Sequence, residues 1–422
     1  MRLLHLSDLH LGKYIGNYSL IEDQKYALNQ IIDIIDREKI DAVMIAGDIF
    51  DNSIASVDAL KLYSDFIDEI IFKRQKPVLA ISGNHDSAKR LDINTNFFTE
   101  RNYHIFGEYK DEIVSLEDEY GKINFHLIPY ISLNHAKILF DENIENFTDL
   151  YKFLLKDKTY EDRNILITHC YANNIGIEES DEYNEGQKPL IIGGSDAMDG
   201  HLFMRFDYVA LGHLHGKHYV IDPKIRYAGT FMPYSFDETK ACKSVTVVDI
   251  TDQVKTYDIG IKPLRDFKTI EEKFDQIVKM NASDDYIKFI LEDEHTIDNA
   301  MGKLKEKFPH AVQVTYKDRG IFNSPSGLDL DLENKNSFVI YSSPLERAKE
   351  TAEILARHLD LKYEVKDYLA GGRIDDILRT LDEDKNYIFI SHEPFISNWI
   401  YQLTGEMKII SRGSINLVEL NK

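Results

Sequence analysis

The chain has 422 residues, with 50 Lys plus Arg against 72 Asp plus Glu, a formal net charge of −22. Its 43% hydrophobic and 29% charged residues are ordinary for a folded protein, and its length points to two or three domains. The acidity argues against a surface that wraps nucleic acid, because phosphate binding draws on Lys and Arg, but not against an enzyme that cuts nucleic acid at a metal site. No apolar run approaches the roughly 18 residues of a membrane span. The N-terminal Met1-Arg2-Leu3-Leu4-His5 lacks a signal-peptide pattern. Only Cys170 and Cys242 could pair, so the expected location is a reducing cytoplasm.

Short β-branched runs alternate with amphipathic stretches over the first 250 residues, the pattern of an α/β domain. Strands are predicted at Arg2–Leu6, Ala42–Ala46, Val78–Ser82, Ile165–Thr168 and Tyr208–Leu211. Helices are predicted at Ile21–Glu38, where Ala27, Leu28, Ile31, Ile32 and Ile35 recur at helical spacing, and at Leu60–Ile71. Near Ile261-Lys262-Pro263-Leu264 the texture changes. A small α/β unit follows, with helices expected at Thr269–Met280 and Ile297–Phe308 and strands at Tyr286–Leu291 and Val312–Tyr316. The polar stretch 323–336 reads as a linker. A third segment then begins with a strand at Phe338–Tyr341 and continues helix, strand, helix, strand.

Each of the five strand-like runs ends in side chains able to bind metal: Asp8-Leu9-His10, Gly47-Asp48-Ile49-Phe50-Asp51, Gly83-Asn84-His85-Asp86, His169, and Gly212-His213-Leu214-His215. Carboxyl ends of strands in an α/β sheet face a common crevice, so the five loops can surround one site. Asp8, His10, Asp48, Asn84, His169, His213 and His215 form a mixed nitrogen and oxygen set, suited to Mn, Fe or Zn and too large for one ion. Two ions sharing Asp48 is the economical arrangement. One would take Asp8, His10, Asp48 and His215, the other Asp48, Asn84, His169 and His213, and a bridging water would attack phosphorus. His85 follows a ligand directly and is expected to stabilise the transition state and protonate the leaving oxygen, with Asp51 orienting its ring. His5, between Leu4 and Leu6, reads as packed or as a support to the site. Any one motif alone is weak; all five in this order are not.

Together these motifs resemble the signature of calcineurin-like metallophosphoesterases. The words around them, Ser7-Asp8-Leu9-His10-Leu11-Gly12-Lys13, Ser82-Gly83-Asn84-His85-Asp86-Ser87 and Tyr227-Ala228-Gly229-Thr230-Phe231-Met232-Pro233-Tyr234-Ser235-Phe236, resemble bacterial SbcD-type nucleases over roughly residues 1–330. The resemblance implies a metallophosphoesterase β-sandwich flanked by helices over residues 1–260 and a capping domain over 261–322. It also implies two Mn²⁺ per chain, with Mg²⁺ or other divalent ions as alternatives. The implied activity is 3′–5′ exonuclease on duplex ends and endonuclease on single strands and hairpins, in DNA repair, recombination and replication. The implied partners are DNA, a coiled-coil ATPase of the SbcC type and a second copy of the chain within a heterotetramer, with no membrane. Lys13, Lys89 and Arg90 lie beside the motifs as DNA-contact candidates. A metallophosphatase or phosphodiesterase acting on other substrates is the alternative; protein phosphatases of this superfamily place Arg where Asn52 stands.

Residues 337–422 depart from that pattern. Ser342-Ser343-Pro344-Leu345-Glu346-Arg347 and Ser391-His392-Glu393-Pro394 resemble motifs of SixA-type histidine phosphatases, in which Arg347 and His392 would line a phosphate pocket. The Arg-His-Gly that carries the phospho-accepting histidine should precede these motifs and is missing, so the segment reads as a fragment without its nucleophile.

Overall fold

The structure, a computed structural model, describes residues 1–317 except 141, 143, 159, 174–196, 240–241 and 252, and residues 338–404 except 360, 372–373, 382–385 and 392–394. The chain divides into two compact units, Met1–Lys317 and Asp318–Lys422. The expected linker 323–336 and the last residues of the expected capping domain, 318–322, lie outside the described residues.

In chain order the first unit contains β1 (Arg2–Leu6), α1 (Ile21–Arg37), β2 (Ala42–Ala46), α2 (Val57–Asp68), β3 (Val78–Ile81), β4 (Tyr103–Phe106), β5 (Ile113–Asp118) and β6 (Gly121–Ile128). It continues with α3 (Phe147–Leu155), β7 (Arg163–His169), β8 (Tyr208–Gly212), β9 (His218–Val220), β10 (Asp222–Tyr227), β11 (Ser244–Ile250) and β12 (Val254–Gly260). These strands form two six-stranded sheets, ordered β12-β11-β1-β2-β3-β4 and β9-β10-β8-β7-β6-β5. The central strands β1 to β4 pair in parallel, as do β10, β8, β7 and β6, while the outer pairs are antiparallel.

Successive strand side chains point to opposite faces, so β1 and β2 each supply two cores. Leu3, Ala42, Met44 and Ala46 meet the second sheet through Phe125, Ile165, Ile167 and Ala210. Leu4, Leu6, Val43 and Ile45 meet the helices, including Leu28, Ile31 and Ile35 of α1. Burial on both faces is why these strands read as unbroken apolar runs. α1 carries Glu22 and Asp23 in its first turn, where the helix dipole favours acid. It stops at Glu38, after which Lys39 turns left-handed at φ +56°.

The rest of the first unit is a three-stranded parallel sheet of β13 (Phe267–Glu272), β14 (Tyr286–Leu291) and β15 (Ala311–Tyr316) around Phe274, Ile277, Phe289, Leu304 and Phe308. The helix expected over Thr269–Met280 is mostly absent. Phe267–Glu272 pairs along its length with Tyr286–Leu291, and only the turn Phe274–Ile277 is helical. Its apolar residues Phe267, Ile270, Phe274 and Ile277 recur at the helical spacing of three and four, and pairing with β14 overrides that signal. This small sheet is pinned to α1. Arg265 meets Asp23 at 3.0 Å, Glu22 at 2.7 Å and Asp284 at 3.0 Å, and the Tyr286 hydroxyl donates to Asp23 at 2.8 Å.

The second unit has β16 (Phe338–Ser342), α4 (Glu346–Leu359), β17 (Tyr363–Val365), β18 (Asn386–Ile390) and α5 (Phe395–Thr404). Its strands are all parallel, in the order β17-β16-β18. Among its described residues, Ile340, Ala352 and Ala356 form one buried apolar cluster and Leu369, Ile377 and Trp399 another. No described helix is long and apolar enough to cross a membrane.

Candidate metal centre

The five motifs occupy the carboxyl ends of strands from both sheets of the first unit, three from one sheet (β1, β2, β3) and two from the other (β7, β8). The loops after β1 and β2 continue side by side, with Asp8 N–H donating to the Gly47 carbonyl at 3.0 Å and His10 N–H to the Asp48 carbonyl at 2.9 Å. The two sheets nearly touch at this end. A Cβ on Gly212 would lie 1.8 Å from the Ala46 carbonyl oxygen, and one on Gly47 would lie 2.4 Å from His169 Nδ1. Four of the expected ligand residues hold left-handed backbones, Asp8 (φ +53°), His10 (+42°), Asp48 (+50°) and His213 (+108°). Such strain persists only where the surroundings over-determine it, and it gathers at functional sites.

The donor atoms converge in overlapping groups. Asp8, His10 and His215 have atoms within 4.8 Å of one another, as do Asp8, Asp48 and His169, and also His10, Asp51 and His85. Asn84 Oδ1 lies 3.0 Å from His169 Nε2 and 3.1 Å from His213 Nδ1. Asp8 accepts the His213 N–H at 3.0 Å, and Asp48 Oδ1 accepts the His85 N–H at 2.8 Å.

Tautomers follow from the partners. The Ala46 carbonyl can only accept, so His169 Nδ1, 2.9 Å away, donates, and Nε2 faces Asn84 and the Asp48 carboxylate 3.4 Å off. His10 Nε2 faces His215 Nε2 at 3.1 Å, while the Nδ1 atoms face Asp51 at 3.4 Å and Glu238 at 2.9 Å. Lone pairs aimed at one another across 3.0–3.4 Å are reconciled by a cation or a proton between them. The donor set therefore fits divalent ions.

Burial pushes the Asp8 carboxyl up, against the pull of His169. Burial also opposes ionisation of Asp48, yet the His169 imidazole holds it well below the usual carboxylate range. His169 resists its own burial because Asp48 and Asp8 lift it to about 9. Burial and the neighbouring His169 push His213 down to about 4, which keeps its ring neutral. The interior is thus one interdependent charge cluster.

His85 stands at the exposed rim, its ring 4.9 Å from that of His10, centroid to centroid. The expectation that the Asp51 side chain orients it meets a different geometry. His85 Nδ1 lies 2.9 Å from the Asp51 backbone carbonyl, whereas the Asp51 carboxylate faces His10 Nδ1 and accepts from Lys13 Nζ at 2.7 Å. Burial works against that carboxylate's charge, but His10 and Lys13 bring it down to about 2. Lys13 is therefore ion-paired at the rim. Lys89 and Arg90 lie exposed on the short helix Ala88–Leu91, Arg90 donating to the Ser53 carbonyl at 3.2 Å.

Of the supporting residues, Gln24, Glu238 and Lys243 had no signal in the motif reading, and Asp86 stood within a motif without a role assigned to it. Gln24 of α1 donates to the His10 carbonyl at 2.7 Å and accepts from the Gly12 N–H at 3.0 Å. Asp86 accepts from the N–H groups of Ile49, Phe50 and Gly83 at 2.9–3.0 Å, tying two ligand loops together, and burial raises it to about 6. Glu238 and Lys243 stand behind His215. In the second unit, Arg347 is exposed on α4, and His392 lies outside the described residues. The end of β16 is close to the end of β18, with Ser343 N–H donating to the Ile390 carbonyl at 2.8 Å.

A two-sheet sandwich with carboxylates and imidazoles gathered at its strand ends defines a phosphoesterase with a metal centre. Residues 1–217 match the family described as calcineurin-like phosphoesterase, and the chain belongs to that family. Two relatives, both described as subunits of the nuclease SbcCD, are each 30% identical over 75% of this chain. The protein of Staphylococcus saprophyticus is covered over 84% of its length and that of Staphylococcus epidermidis over 85%. A solved structure, TT1561 of Thermus thermophilus, aligns over 61% of this chain and 98% of its own at 12% identity, with a TM-score of 0.37. Residues 330–377 match the histidine phosphatase superfamily, branch 1.

Proposed function

We propose that the chain is a manganese-dependent DNA nuclease subunit that hydrolyses phosphodiester bonds at DNA ends together with a coiled-coil ATPase of the SbcC type. The observation that carries this reading is the convergence of Asp8, His10, Asp48, Asn84, His169, His213 and His215 under an exposed His85, in a chain whose relatives are nuclease subunits.

Asp8, His10, Asp48 and His215 would hold one divalent ion, and Asp48, Asn84, His169 and His213 a second. Their nitrogen-rich chemistry favours Mn²⁺ over a site for Mg²⁺ or Ca²⁺ alone. Bound ions supply positive charge that polarises the phosphodiester and acidifies the attacking water. The chain's own part falls first to His85. With Nδ1 held against the Asp51 carbonyl at 2.9 Å, its Nε2 is left to carry a proton to the leaving alcohol oxygen. The carboxylate of Asp51 keeps the His10 ring in place rather than that of His85. Lys13, Lys89 and Arg90 would take the few phosphate contacts on an acidic chain.

The finer assignments rest on the same likeness: 3′–5′ trimming of duplex ends, cutting of single strands and hairpins, a role in repair and recombination, a homodimer within a heterotetramer, and a cytoplasmic address. In residues 337–422 the reading is a phosphatase-like unit without covalent chemistry, because no acceptor histidine precedes Arg347. Manganese-dependent hydrolysis of a DNA duplex, measured beside that of a nucleotide monoester, tests the nuclease reading. Duplex cleavage is expected; cleavage of the monoester alone overturns it.

A further inference from the structure

The stretch 227–236 resembles a nuclease motif yet supplies no ligand. It leads into Glu238, which stands at the centre of a small buried network. Glu238 Oε1 accepts from His215 Nδ1 at 2.9 Å and from Ser235 Oγ at 3.4 Å. Its Oε2 accepts from Lys243 Nζ at 2.6 Å, Thr230 Oγ1 at 3.2 Å and Tyr234 N–H at 3.4 Å. Lys243 Nζ also donates to Thr230 Oγ1 at 2.6 Å and to the backbone carbonyl of His215 at 3.2 Å. The ion pair thus grips both the ring and the main chain of one residue.

Both charged side chains are nine-tenths buried, at 10% and 7% exposure. Burying such a pair is a poor route to stability, since desolvation cancels much of the attraction and an apolar pair of equal volume does as well or better. A carboxylate at 2.9 Å can only accept, so it keeps the His215 proton on Nδ1 and leaves the Nε2 lone pair facing His10. A residue that orients a ligand in this way changes metal affinity without touching metal.

We propose that Glu238, backed by Lys243, is a positioning residue that fixes the tautomer and ring orientation of His215 and so sets how tightly the His10–His215 side of the site takes a divalent ion. The proposal rests on the reading of His215 as a ligand. It is tested on the metal-free full-length chain by calorimetric titration with Mn²⁺, by ¹H–¹⁵N spectra of the His215 ring before metal is added, and by thermal melting. Glu238→Ala is expected to weaken one Mn²⁺ site by about 10- to 100-fold and to let the ring populate the Nε2–H form. Glu238→Gln keeps an acceptor oxygen and is expected to recover part of that affinity, with the two variants melting together. Wild-type affinity and an unchanged tautomer in Glu238→Ala would overturn the proposal. So would equal affinity losses in both variants that track equal losses of melting temperature, the mark of a merely structural role. A wild-type chain that takes up no Mn²⁺ overturns the metal-centre reading as well, and is distinguished by the absence of any binding to compare.

Discussion

Both units of the chain set polar motifs at the carboxyl ends of parallel strands, but the surroundings differ. In Met1–Lys317 nearly every donor is backed by a second group. His10 has Asp51, His169 has the Ala46 carbonyl, His215 has Glu238, and Asp48 has the amide of His85. Two six-stranded sheets and their helices close around that shell. In Asp318–Lys422 the ends of β16 and β18 rest on two clusters of three fully buried side chains each among the described residues, and Arg347 extends from an exposed turn of α4. A motif is a set of atoms that can react; the shell that aims them is spread through the fold. By that measure the first unit is equipped for chemistry, while the described residues of the second show the frame of strands and helices that carries its motifs.

The sharpest way to break this contrast is at Asp48, the carboxylate proposed to serve both ions. Asp48→Ala is expected to lose at least one bound ion, counted by elemental analysis, and to slow DNA hydrolysis by about 10⁴-fold, since each ion is worth several kcal/mol of charge stabilisation. Near-normal turnover with full metal content would mean that the centre is assembled differently. A smaller effect is expected from His85→Ala, a fall of about 10²- to 10³-fold with metal content unchanged, the span of a general acid. Unaltered cleavage in that variant would take His85 out of the mechanism. The smallest effect on hydrolysis, none beyond about a factor of two, is expected from Trp399→Ala. That truncation should cost the second unit about 3–5 kcal/mol, visible as loss of its own melting transition. If nuclease activity fell with it, the two units would not be independent in function.

Much of the frame is legible in the order of residues. Arg2–Leu6 and Ala42–Ala46 can be bounded from sequence because both of their faces are buried and each apolar run gives way to polar or glycine residues, Ser7-Asp8 and Gly47-Asp48, that are buried in turn. The spacing of Ala27, Leu28, Ile31, Ile32 and Ile35 places α1 within a residue. The division of the strands between two sheets is not legible, because β11 pairs with β1 from more than 240 positions away. Thr269–Met280 misleads because Ile270, Phe274 and Ile277 recur at helical spacing, while the strand over Phe267–Glu272 is set by pairing with Tyr286–Leu291. The donor side chains that converge can be read, since glycines and strand ends mark them. Glu238 and Gln24 cannot, for they meet His215 and His10 across 23 and 14 residues with no fixed spacing to betray them.

The opening turn of α1 carries a mechanical consequence. Asp23 reaches the small sheet through Arg265 and Tyr286, while its neighbour Gln24 reaches the opposite way to the His10 and Gly12 backbone. Consecutive positions on a helix differ by about 100° of rotation, so the phase of α1 is fixed from two sides at once. A single residue inserted just before Asp23 would rotate the later side chains by about 100°, bringing the Asp23 carboxylate to the place of the Gln24 amide and carrying that amide away from the His10 carbonyl. At Asp23 and Gln24 the frame of the helix is locked like a key cut on both edges.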